Sequence, residues 1–201
     1  MYTLKEYIAL TEKYGSSASW AIWDYKNEKD TSIIGQNRDQ LHSRYILLGL
    51  NFSKETVTNK PWKNFHGGSI HDRKLKYACN DTELRGSFMT DIFRGIVETD
   101  SSKMKDIITD KIISKNVSFF NQEMMDIKIN KESKFIVFGT PTSYLAKCFN
   151  EYFKQGYTNN VIYHYHYSYY GITDEEWVKS LWEKLYISQD FEATLKKYGS
   201  S

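Results

Sequence analysis

"YILLGLNFS", residues 45–53, begins with an apolar run that never alternates with polar residues. A strand with one face in water alternates, so this run predicts a strand buried on both faces, the condition of a parallel sheet. Three more runs have the same character: "GSFMTDI" at 86–92, "KFIVFG" at 134–139 and "NVIYHY" at 160–165. Amphipathic stretches lie between and around them. Thr3-x-x-Glu6 is a capping box that opens a helix over 3–14, with Leu4, Tyr7 and Ile8 on one face and Gly15 as its end. Further helices are expected at 70–79, at 101–112 with Met104, Ile107, Ile108 and Ile112 inward, and at 118–128. Thr140-Pro141 should cap a helix carrying Leu145, Cys148, Phe149 and Tyr152. Thr173-x-x-Glu176 opens a last helix, 173–187, with Trp177, Leu181, Trp182 and Leu185 inward. Residues 26–40 are polar and loop-like. Strands alternating with helices predict an α/β fold: a three-layer α/β/α sandwich with a mainly parallel central sheet. With 201 residues and no linker or repeat, one domain is expected over 1–201, its core at about 44–187.

Composition narrows the function classes. No apolar run is long enough for a membrane span, and the N-terminus lacks the apolar core of a signal peptide. Two cysteines without a CxxC pair fit a reducing compartment, so a cytoplasmic protein is expected. The net charge of +2 does not announce nucleic acid, whereas 16% aromatic residues, sixteen of them tyrosine, suit ring stacking. An AT-rich genome would produce a similar bias. GxGxxG, GxxxxGK[ST] and GxSxG are all absent, which removes the motif support for a dinucleotide site, a P-loop or an α/β-hydrolase, and no cofactor is expected.

Ligands of open parallel sheets bind beyond the carboxyl ends of the strands. That rule selects Asn51 to Ser53, Thr90-Asp91, Gly139-Thr140-Pro141 and His164 to Gly171. Asn51 offers an amide that orients a water or a base edge, or else it closes a tight turn. In "PWKNFHGG", 61–68, Phe65 is placed to stack on a flat ligand, while Trp62 reads better as an anchor for the loop. His164 and His166, two apart on a strand, would share a face, and Asp91 or His66 would complete a metal site. Nothing in the sequence fixes that third ligand, so no metal is assigned and the two histidines are read as lining a polar ligand.

These segments, in this order, resemble the uracil-DNA glycosylase superfamily. Gly49-Leu50-Asn51-Phe52-Ser53 is similar to its first motif, a strand ending in a GxNPG- or GQDPY-like turn. His166-Tyr167-Ser168, with Gly171 and the helix behind, is similar to its second motif, an HPS- or NPS-like turn. "PWKNF" resembles the loop that brings an aromatic ring onto the flipped base. Phe52 and Tyr167 stand where that family carries proline. The resemblance covers roughly 44–187 and implies an uracil-DNA glycosylase-like domain that hydrolyses the N-glycosidic bond of uracil or a related base flipped out of DNA, as a monomer in base-excision repair.

In that reading His166 donates to a base carbonyl, with His164 in reserve. Asn51 orients the attacking water, and Asp91 supplies a base if its strand turns it inward. Phe65, with Phe52 and His164, contacts the base, while Ser53, Tyr167, Ser168 and Tyr169 contact the DNA. Two alternatives stay open: an inactive nucleic-acid or nucleotide-binding module on the same fold, and a hydrolase or transferase acting on a free nucleoside or nucleotide.

Overall fold

The computed structural model describes residues 2–52, 60–67, 71–98, 100, 103–154, 157 and 160–199. Four strands run parallel: β2 (His42–Phe52), β3 (Ser87–Val97), β4 (Lys134–Phe138) and β5 (Val161–His164). A two-residue strand, β1 (Ser19–Trp20), pairs antiparallel with β3 at one edge, giving the order β1-β3-β2-β4-β5. Alternate residues of the unbroken runs enter different layers. Ile46, Leu48, Phe135 and Val137 pack on one face of the sheet, and Leu47, Ile136 and Phe138 on the other. Double-sided burial is thus why the sequence shows no alternation.

The first face is covered by α1 (Leu4–Tyr14), α5 (Asp110–Asp126) and α6 (Tyr144–Cys148), the last prolonged by a π-helical turn at Phe149–Phe153. The second is covered by α3 (Asp72–Cys79), α7 (Asp174–Leu185) and α8 (Phe191–Tyr198). Two short helices, α2 (Ser32–Gln36) and α4 (Met104–Ile107), lie in connections. The three-layer α/β/α arrangement and the mostly parallel sheet agree with the sequence reading. Both capping boxes form, at Thr3/Glu6 and Thr173/Glu176, and α7 buries Trp177, Leu181, Trp182 and Leu185 as expected. None of the helices among the described residues is long and apolar enough to cross a membrane.

Several elements differ from expectation. The helices expected at 101–112 and 118–128 are instead the short α4 and one 17-residue α5, capped by the Thr109 side chain. Thr109 competes for the backbone at the point where the apolar stripe looked continuous, and Ile107 is left exposed. Ser143, not Thr140, caps α6, because Ser143 Oγ accepts from the Ala146 N–H. In α1 the buried residues are Leu10 and Tyr14, while Leu4 and Ile8 face solvent. The C-terminal half packs into the core through Leu10 and Tyr14, whose hydroxyl donates to Asp126 of α5 at 2.5 Å. Within 26–40 the chain forms α2 and a 3-10 turn, Arg38–Gln40.

β2 and β4 are neighbours, yet the chain leaves β2 toward β3 and leaves β4 toward β5 on the opposite side. In open parallel sheets, ligands bind at the carboxyl ends where the chain diverges in this way.

Candidate functional site

Gly49 and Asp91 are register partners on β2 and β3. A methyl group built on Gly49 would fall on Asp91 Oδ1, with the Phe65 ring next to it at 3.7 Å. The glycine is therefore not a bend but a gap in the strand, filled by the carboxyl of its neighbour; a glycine inside a strand often marks such a close approach. Asp91 is 3% exposed. Its Oδ2 accepts from Asn64 Nδ2 at 2.9 Å, and among the described residues no donor reaches Oδ1. Burial pushes the carboxyl up to about 6, against the Asn64 N–H and the Arg94 charge, which hold it down.

Asn64 and Phe65 arrive on a loop held in an unusual conformation. Trp62 and Phe65 both have positive φ, 65° and 66°. Side chains at such angles are strained, and the surroundings must enforce them. Trp62 is fully buried; its backbone N–H donates to the Gly15 carbonyl at 2.6 Å and its indole to the Tyr7 hydroxyl at 3.1 Å. Ser19 Oγ donates to the Trp62 carbonyl and Thr31 Oγ1 to that of Pro61. Trp62 is the anchor that the sequence indicated, and Phe65 is delivered beside it.

The loop after β5 completes the cluster. The Tyr167 ring meets Phe65 edge-on at 6.3 Å and Phe138 at 5.6 Å, and it stacks on His166 at 4.2 Å. The Asp91 and Asp72 charges and, above all, burial raise the Tyr167 phenol well beyond its ordinary range, so it stays neutral. His166 Nδ1 lies 2.7 Å from Ser168 Oγ and accepts the Ser168 backbone N–H at 3.2 Å. A nitrogen that accepts an amide N–H carries its lone pair, so the neutral ring bears its proton on Nε2. Burial, and then the nearby His71, lowers His166 to about 4, so the ring is neutral at physiological pH. Among the described residues nothing accepts from Nε2.

Phe65, Asp91, His166, Tyr167 and Ser168 thus form one cluster beside the ends of β4 and β5. Asp91 reaches it from within β3, which runs on to Val97 and so does not end at 92 as expected. The other residues selected from the sequence lie elsewhere. β5 stops at His164, so His164 and His166 do not share a strand face: His164 turns under α7, its Nε2 3.0 Å from the Trp177 carbonyl and its Nδ1 3.4 Å from Lys184 Nζ. Asn51 uses its NH2 group to tie β2 to the end of β3, donating to the Glu98 carbonyl at 2.9 Å and that of Ile96 at 3.4 Å. A register shift between Asn51 and Phe52 makes that brace necessary. Tyr169 stacks on Tyr165 at 4.9 Å on the exposed rim, where Lys74 Nζ donates to the Tyr169 carbonyl. His66 is buried against Trp23 at 4.7 Å, with Nε2 3.2 Å from the Trp20 carbonyl. Among the described residues no three His, Cys, Asp or Glu side chains are grouped to hold a metal ion. Ser53 and the Phe52 side chain lie outside what is described.

Sequence reasoning passed over Asn64, although it sits inside "PWKNF" between the two residues it singled out. It also passed over Arg94, which pairs with the buried Glu123 of α5 and donates to Ser17 Oγ at 2.9 Å and Thr90 Oγ1 at 2.6 Å. An Asn two residues from a buried Trp carries no pattern of its own. The interior glycine at 49 was the available signal. No protein-family model, curated protein or solved structure matches the chain.

Proposed function

We propose that this chain hydrolyses the N-glycosidic bond of a base extruded from DNA, with uracil the first substrate to try because the resembled superfamily favours it. The observation that carries the reading is the Asp91 carboxyl, buried inside β3 opposite Gly49 and held by one oxygen; burial pushes it up to about 6. A carboxylate with that pKa is deprotonated at neutral pH yet basic enough to take a proton from water.

The Asp91 carboxylate accepts a proton from a water, whose oxygen attacks the sugar C1′. The C1′–N bond breaks and its electron pair leaves with the base. Negative charge then develops on the base carbonyl, and the His166 Nε2–H donates to it. A neutral imidazole suits this task, since it stabilises charge without first protonating the base. Phe65 and Tyr167, packed edge to face on one another, offer ring surface to the base. Ser168 fixes the His166 tautomer, and Asn51 braces the strand end.

Extruding a base costs a few kcal/mol, supplied by stacking and hydrogen bonding in the pocket. A second reading is favoured by the net charge of +2: hydrolysis of a free nucleoside, which needs no phosphate-tracking surface. Oligonucleotides carrying uracil, thymine mismatches or modified bases, single- and double-stranded, are incubated with the protein and scored for abasic sites. Cleavage that disappears in Asp91→Asn supports the proposal. Cleavage of free nucleosides alone selects the second reading, and binding without cleavage of either selects an inactive module.

A further inference from the structure

Asn64 is the one side chain that hydrogen-bonds the Asp91 carboxyl among the described residues, and it is itself held from the opposite side. Its Nδ2 donates at 2.9 Å to Asp91 Oδ2 and at 2.9 Å to the Ser17 carbonyl, so both of its N–H groups are used and the amide cannot rotate freely. Ser17 is in turn fixed through its hydroxyl by Arg94, and Arg94 by Glu123 and Thr90. The neighbouring Trp62 and Phe65, both left-handed, set the position of the loop that carries Asn64. Strained backbone of this kind persists only where something enforces it, and here it aims one amide at one buried carboxylate.

We infer that Asn64 is the positioning residue of Asp91: it binds Oδ2, fixes the carboxyl with Oδ1 seated at Gly49 and keeps it ionised. This rests on the proposed function for its consequence in catalysis, but the pairing itself is testable without any reaction. The groups that face Asp91 are Arg94 on its own strand, Glu123 on α5 and Tyr167 on the loop after β5. Arg94 lowers its proton affinity, and the Asp91 charge in turn raises that of Glu123. Tyr167 is neutral and contributes burial. Asn64 supplies a hydrogen bond to the charged form, which Ala at this position lacks.

The experiment follows the Asp91 carboxyl carbon and the Asn64 side-chain amide by NMR from pH 4 to 8, in the wild-type protein and in Asn64→Ala and Asn64→Ser. In the wild type, the Asn64 amide resonances should shift with the same midpoint as Asp91, which requires no variant to fold. In Asn64→Ala the Asp91 midpoint should rise by about one unit, the size of a lost hydrogen bond to a charged group. Asn64→Ser, which keeps a shorter donor, should fall between. Base release by Asn64→Ala should drop roughly tenfold below pH 6, and the loss should shrink as pH rises. Asn64 amide resonances that ignore the Asp91 titration, or an unmoved midpoint in Asn64→Ala, overturn the inference. Coupled titrations in a protein that releases no base sink the proposed function instead, and the catalytic role of Asn64 with it.

Discussion

Replacing Asp91 with Asn should make the protein more stable at neutral pH. A carboxyl that titrates near 3.8 in the unfolded chain is raised to about 6 in the fold by burial. The folded state therefore binds the proton more tightly than the unfolded state. Well below pH 4, at about pH 3 and lower, the group is protonated in both states and contributes nothing against folding. As pH rises through the window from about 4 to about 6 the unfolded chain ionises first, and stability falls; above that window the deficit is constant. A shift of about two units amounts to about 3 kcal/mol. Asp91 is almost fully buried, so solvent screening does not reduce this much.

Asparagine has the same shape and no charge, and its carbonyl still accepts from Asn64. The assay is urea unfolding of both proteins at pH 4 and pH 7.5, followed by fluorescence of the five tryptophans. The stability difference, variant minus wild type, should grow by about 2.4 kcal/mol between the two pH values, since part of the penalty is already present at pH 4, a relative midpoint shift of about 1–2 M urea. Comparing the difference across pH removes any fixed packing effect of the amide. A difference that does not change with pH, or that turns against the variant at pH 7.5, refutes the argument that Asp91 is held ionised at the expense of stability. A carboxylate retained for function, not for folding, is expected to behave in the way described.

Gly49→Ala should displace the Asp91 carboxyl, because the new methyl occupies the space of Oδ1; base release should fall to background, with about 1–3 kcal/mol lost in urea unfolding. His166→Ala removes the donor to the developing charge and should slow single-turnover cleavage about a hundredfold, roughly 3 kcal/mol, while leaving binding of an uncleavable substrate analogue little changed. Arg94→Met leaves Glu123 buried without its cation. It should destabilise by about 3–5 kcal/mol at pH 7.5 and by less at pH 4.5, since burial already raises the Glu123 proton affinity and the neutral acid is tolerated. Paired urea curves at the two pH values measure it.

The four parallel strands and the last helix were legible because their signals are local. "YILLGL" and "KFIVFG" show double-sided burial directly, and Trp177, Leu181, Trp182 and Leu185 keep helical spacing over a full element. The antiparallel edge strand Ser19–Trp20 gave no run to detect, and α5 was divided in the reading because its capping residue, Thr109, lies inside an apolar stretch. At the site, the strand-end rule located the His166 segment just beyond β5, whereas β3 runs on to Val97 and leaves Asp91 inside the strand, not after it. It did not say which side chain points where. His164 and His166 were paired on the assumption that the strand reached 165, and its end at His164 sends the two rings to different surroundings. Asn51 was expected to hold a water, but the register shift beside it leaves β3 carbonyls for its NH2 group to satisfy. Asn64 depends on a left-handed loop, which no spacing of residues announces.

The most direct test is the pH dependence of base release under single-turnover conditions, with protein in excess over a uracil-containing oligonucleotide and the freed base identified by mass. A general base acts when deprotonated, so the rate should rise tenfold per unit below about pH 6 and level off above it, with His166, at about 4, neutral throughout that range. Asp91→Asn should remove the rising limb together with the activity. A rate that is flat through pH 6, or free base released equally well by Asp91→Asn, contradicts the assignment of Asp91 as the base on which the account depends.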